Sequence, residues 1–203
     1  MWSHAFADGE PDPDLVRRMN KPENELPVAL PMNRLLARTP DLAVAILGVQ
    51  AYTTGVAFEL VARARGLEDP EAGNRLGSIF WERRLGTPQF LFGVEFADGR
   101  RAASLPFPGR SGDMVFHQGS GSGGDTAVEQ EWWLSPLPPD GPLLVVVRCP
   151  EIGVEETVVE LDGTAIRRAG ESATVLWPYE PPVDRTHEPP PPPAVPADSW
   201  FAR

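Results

Sequence analysis

The stretch from Leu42 to Arg65, LAVAILGVQAYTTGVAFELVARAR, constrains the fold more than any other part of the chain. It reads as two long apolar strands joined by a tight turn at Thr53-Thr54-Gly55. Val56, Phe58, Leu60 and Ala62 face one way; Glu59, Val61, Arg63 and Arg65 face the other. That period-two alternation gives one dry and one mostly wet face. Leu42 to Val49 is apolar on both faces, which suits a central strand covered on both sides. A central strand beside a half-exposed neighbour is what two packed sheets produce.

The flanking sequence extends this pattern. Leu26, Val28 and Leu30 alternate, and Pro27 and Pro31 place that short strand at an edge. Leu35 to Arg38 is a second short piece. Further strands are predicted over Phe90–Phe96, Arg100–Leu105, Glu129–Leu134, Leu143–Cys149 and Val154–Leu161, with a brief one at Met114–Gln118. Asp98-Gly99 supplies a hairpin turn. Ser78 to Arg84 suggests a short helix whose Phe80 and Trp81 pack on the sandwich edge. Asp162 reads as an N-cap, opening an amphipathic helix through Ile166, Ala169 and Ala173 to about Val175. Trp177 is expected to anchor its end on the sheet.

Both ends differ in composition. Residues 1–24 read as a flexible acidic arm, with Asp8, Glu10, Asp12 and Asp14 among Gly and Pro and one or two helical turns over Asp14–Asn20. Their spacing lacks the glycine and distal glutamate of a calcium loop. From Pro178 onward, nine of the last 26 residues are proline. That proline-rich tail, 178–203, is expected to be polyproline II or disordered. It ends in Trp200-Phe201, two aromatics on a stiff spacer, which reads as a partner-docking anchor. The domain between, 25–177, is expected to be all-β: a two-sheet antiparallel sandwich, immunoglobulin-like, of seven to nine strands with a short C-terminal helix.

Charge and composition narrow the function classes. The 203 residues carry 29 acidic and 18 basic side chains, a net charge of −11. That field repels a phosphate backbone, so no nucleic-acid partner is expected. Arg83-Arg84, Arg100-Arg101 and Arg167-Arg168 are isolated pairs rather than a patch. The start lacks the basic and apolar regions of a secretory signal, and the longest apolar run is about half a membrane span. A cytoplasmic protein without membrane contact follows as the expectation. Cys149, the single cysteine, permits no intrachain disulfide and closes an apolar run, where an inert buried thiol is usual.

No catalytic motif emerges, and no metal or cofactor is expected. Gly119, Gly121 and Gly124 spell G-x-G-x-x-G, but strand pattern rather than helix follows, so a flexible glycine loop is the reading. His4, His117 and His187 share no ligand spacing. The best ligand-binding candidates are Glu129, Glu131 and Trp133, on one side of a strand, with the carboxylates about 7 Å apart. His117 could join them through a carboxylate–imidazole pair. Two acids beside an aromatic platform suit a sugar or another small ligand; the same residues also describe a solvated sheet face.

At Phe92–Gly99 (FGVEFADG), the glycines of 119–124 and Glu131–Leu143 (EWWLSPLPPDGPL), the sequence resembles a group of small uncharacterised proteins of high-GC bacteria. The resemblance covers roughly residues 25–177. It implies a single β-sandwich and carries no activity or site residue across. The functional expectation is a non-catalytic interaction or assembly module with an unidentified protein partner. The alternatives are a small-ligand or carbohydrate-binding sandwich and a hydrolase of unrecognised type.

Overall fold

The computed structural model describes residues 12–65, 75–81, 90–104 and 113–181. Among them are three α-helices and twelve strands, in the order α1 (Pro13–Arg18), β1 (Glu25–Leu26), β2 (Val28–Leu30), β3 (Arg34–Arg38), β4 (Leu42–Tyr52), β5 (Gly55–Ala64), α2 (Arg75–Trp81), β6 (Leu91–Phe96), β7 (Arg101–Ala103), β8 (Val115–Gly123), β9 (Ala127–Ser135), β10 (Pro142–Cys149), β11 (Val154–Asp162), α3 (Gly163–Glu171) and β12 (Thr174–Val175). The strands pair antiparallel throughout. One sheet runs β11-β10-β6-β7. The other runs β2-β4-β5-β9-β8, with β3 also on β4, and β1 and β12 form a small ribbon.

The organising pair folds as its pattern requires. β4 and β5 meet at Tyr52 and Gly55, leaving Thr53-Thr54 as a two-residue turn. Val56, Phe58, Leu60 and Ala62 are all buried in the main core. β4 is interrupted by a bulge at Gly48, where φ is 73°. The register with β5 shifts there, between Leu47 and Val49. β3 pairs with the half before the bulge and β2 with the half after it.

The core lies between the two large sheets. Phe92 of the smaller sheet meets Phe58 edge-on at 5.7 Å and Trp132 at 4.9 Å, geometries that aromatic quadrupoles favour. The Trp132 indole N–H donates to Gln130 Oε1 at 3.1 Å, and Gln130 Nε2 donates to the Phe80 carbonyl at 3.3 Å. The polar atoms carried into this core are thereby satisfied. Helix α3 is capped by Asp162, whose carboxylate accepts from the Ala165 amide at 2.8 Å. It buries Ile166 and Ala169 against β2, β4, β5 and β10, bridging the two sheets.

Several elements depart from the sequence reading. The glycine stretch 119–123 is not a loop but the second half of β8. A Cβ on Gly121 would lie 2.6 Å from Trp81 Cη2 and 2.5 Å from the Glu129 carbonyl oxygen. The bare backbone is what lets the α2 tryptophan lie on this strand. Helix α3 ends at Glu171, and Thr174-Val175 turns into β12 against β1. Trp177 is not an anchor on the sheet; it is 57% exposed. Residues 12–24, read as arm, hold α1 and a docked segment. Pro13 occupies the first helical position, where a missing N–H breaks no bond. Among the described residues strands number twelve rather than seven to nine; the strand expected through Leu26, Val28 and Leu30 divides at Pro27 into β1 and β2, and β12 forms where helix was expected. The arm before residue 12, His4, His187, the proline run 189–193 and the Trp200-Phe201 anchor lie outside the described residues. Among the described residues, no helix is long and apolar enough to cross a membrane.

Candidate functional site

The four predicted ligand residues share one surface, the outer face of the six-stranded sheet. The pairing places Ala57, Trp133 and His117 in one row across β5, β9 and β8. Glu59 and Glu131 form the next row, and Val61, Glu129 and Ser122 the one after. Alternation along β9 sends Trp132 into the core and Trp133 outward, as the sequence pattern requires.

Outward does not mean solvent. Trp133 is 2% exposed. It packs with Tyr52 (5.7 Å, edge-on), Ala57 and Val115 in a second small cluster. Residues 18–21, leaving α1, are bonded to the same face. The Trp133 indole N–H donates to the Arg18 carbonyl at 2.9 Å. His117 Nε2 lies 2.8 Å from the Met19 carbonyl and Nδ1 lies 3.2 Å from the Gln118 carbonyl. Lys21 Nζ lies 2.6 Å from Glu131 Oε2. The last carbonyls of a helix lack intrahelical donors, and here the sheet supplies them. Trp133, His117 and Glu131 therefore bind polypeptide, namely a segment of their own chain. The imidazole pairs with carbonyls, and the carboxylate–imidazole contact considered for His117 is not made.

Glu129 and the rest of the face are more open. Glu129 is ion-paired with Arg63, which also donates to the Val128 carbonyl at 3.2 Å. Glu59 stands directly opposite Glu131 on the neighbouring strand, a like-charge pair that is unfavourable unless compensated; Lys21 supplies that compensation. Beside the docked segment the face forms an open groove of about 550 Å³, lined by Glu59, Glu129, Glu131, Gln50, Ser120 and Ser122 among others. No cluster of three or more His, Cys, Asp or Glu among the described residues is arranged to hold a metal ion.

Two buried polar groups stabilise the end of this face. The Glu25 carboxylate is 5% exposed. It accepts from the Thr53 amide at 2.9 Å and the Thr53 hydroxyl at 2.5 Å, tying β1 to the β4–β5 turn. The Tyr52 hydroxyl donates to Gln50 at 3.3 Å. Its pKa is raised, first by burial and then by the negative charges of Glu131 and Glu25.

Glu59, Tyr52, Lys21 and Glu25 were not among the candidates. Glu59 sits on the wet face of β5 in the sequence pattern. It meets Glu131 only through a pairing with a residue 72 positions away, a separation that alternation alone does not reveal. No family model, curated protein or solved structure matches the chain.

Proposed function

We propose that this protein is a non-catalytic interaction module, a sandwich of immunoglobulin-like build working in the cytoplasm on a protein partner. One observation carries this reading. The face that gathers the chain's best polar and aromatic candidates is engaged in holding a peptide segment by two carbonyls and one lysine. Backbone carbonyls plus a salt bridge are the vocabulary of polypeptide recognition. The net charge of −11 argues for a protein rather than a nucleic acid. In this reading Trp200 and Phe201 add an aromatic anchor, the residue type that dominates interface energetics.

The test is affinity capture from the native cell with the full chain, beside a Trp200→Ala/Phe201→Ala variant and an unrelated acidic control. One or more proteins enriched by the full chain and lost with the double variant support the module and its anchor. Equal recovery removes the anchor, and no enrichment over the control sinks the module.

A second reading, a small-ligand or carbohydrate-binding sandwich, is favoured by the groove over Glu59, Glu129 and Glu131. Thermal-shift screening with sugars and small cations tests it. A stabilisation abolished by Glu129→Gln would move the function to the groove.

A further inference from the structure

A second cleft lies where the two ends of the described chain meet. The segment after β12 runs beside the one after α1. The Leu176 amide donates to the Asn24 carbonyl at 2.9 Å, and Asn24 Nδ2 donates to the Trp177 carbonyl at 2.8 Å. Trp177 is thus held by its backbone while its ring is 57% exposed. Across from it the Arg17 guanidinium sits over the Tyr179 ring at 5.7 Å. Between them is a space of about 620 Å³, lined by Arg17, Lys21, Glu23, Trp177, Tyr179 and Glu180 among others. The Trp177 indole N–H and the Tyr179 hydroxyl make no hydrogen bond among the described residues. Leu26, Val175 and Leu176 are also exposed nearby.

An aromatic-lined groove with free N–H and O–H donors has a well-defined complement. A proline-rich strand in polyproline II geometry presents flat pyrrolidine rings to the aromatics. It also offers carbonyls that no internal hydrogen bond uses. Little conformational entropy is lost on binding, because proline fixes φ in advance. This chain carries a sequence of that kind: Glu188 followed by five prolines, Pro189–Pro193. The described chain ends at Pro181, beside the cleft, and residues 182–188 separate it from the prolines in sequence. Eight steps of extended chain reach at most about 28 Å, enough to double back onto a cleft bounded by residues 177–180. A tether this short holds its ligand at an effective concentration of order millimolar. Glu188, ahead of the prolines, is of the right sign to meet Arg17.

We propose that the Arg17/Trp177/Tyr179 cleft is a polyproline-binding site, and that its occupant is Pro189–Pro193 of the same chain. The cleft adjoins the Trp133 face through Lys21, but the proposal does not depend on the function proposed above.

The test uses the full chain and a full-length Pro190→Gly/Pro191→Gly/Pro192→Gly variant, both ¹⁵N-labelled, with the synthetic peptide EPPPPPAVP as probe. The Trp177 indole signal is assigned by its loss in Trp177→Phe. The glycine variant should show shifted Trp177 and Tyr179 signals. Added peptide should return them to their full-chain positions along a saturating curve. The full chain should respond at least tenfold more weakly, because its own prolines compete. Adding Trp177→Ala to the glycine variant should abolish saturation. Identical signals in the two chains, or no saturable response in the glycine variant, overturns the proposal. A dimer by light scattering that becomes monomer on glycine substitution overturns the same-chain assignment and places the prolines in a second copy.

Discussion

Trp132 and Trp133 are adjacent on one strand and are equally well buried, at 4% and 2% exposure, yet they belong to different parts of the structure. Trp132 sits between the two sheets, stacked against Phe116 and edge-on to Phe92. Its N–H is satisfied by a residue two positions away on the same strand. Trp133 sits outside the sheet in a cluster of three buried residues, and its N–H is satisfied by Arg18, 115 positions away. The first is buried by the global fold. The second is buried by its sheet neighbours Tyr52, Ala57 and Val115 together with a short segment at the end of α1. Equal burial therefore does not mean equal consequence. What matters is whether the covering element is itself held by the core.

Core substitutions should show the largest effects. Phe92→Ala removes a ring that touches Phe58, Phe116 and Trp132. It should cost about 3–5 kcal/mol, read as a lowered urea midpoint with an unchanged slope. Next comes Gly55→Ala, which strikes both regions. Its Cβ would lie 2.4 Å from the Leu134 carbonyl oxygen and 2.7 Å from the Trp133 ring. Because one obstacle is backbone, the hairpin must shift, at about 1–3 kcal/mol. A neutral result in urea unfolding would mean that the β4–β5 turn is looser than its packing implies.

The same contrast explains what the sequence could and could not disclose. β4, β5 and the Asp162 cap were legible because their signals are local: alternation, a two-residue turn, and a side chain three residues from the amide it caps. The predicted face was legible too, since alternation on β9 aligns Glu129, Glu131 and Trp133. The occupant of that face was not. Arg18, Met19 and Lys21 reach it across about a hundred residues, and two of them contribute only carbonyls, which every residue possesses. The glycines of β8 misled for a related reason. Glycine in isolation signals a loop, and only the Trp81 ring lying over Gly121 and Gly123 makes bare backbone the requirement for a strand.

Smaller changes should separate the two tryptophans. Trp133→Phe keeps an aromatic side chain but shortens the indole and deletes the donor to Arg18, leaving a helix-end carbonyl unsatisfied. It should cost about 1–3 kcal/mol and speed amide exchange over residues 13–21 while leaving β9 protected. Tyr52 provides a pH readout. Its folded pKa lies above the ordinary 10.0, so the unfolded chain releases that proton first as pH rises. Folding stability is then unaffected by this group below about pH 10 and falls above it. Tyr52→Phe should flatten the alkaline limb of the unfolding curve, and an unchanged slope would mean that Tyr52 ionises as readily folded as unfolded.

The smallest expected effect is the most discriminating. Lys21 and Glu131 make a 2.6 Å ion pair with side chains 38% and 34% exposed. Screening and side-chain entropy limit such a pair to about 0.2–1 kcal/mol. Lys21→Ala should thus barely move the urea midpoint. It nevertheless leaves Glu131 facing Glu59 with no cation between them, so the loss should grow at low salt. It should shrink in a Glu131→Gln background, where the like-charge pair is already gone. Amide exchange should rise over residues 18–21 and nowhere in β5 or β9. If Lys21→Ala instead lowers global stability by as much as Phe92→Ala does, the docked segment is part of the core. The distinction drawn between the two tryptophans then fails.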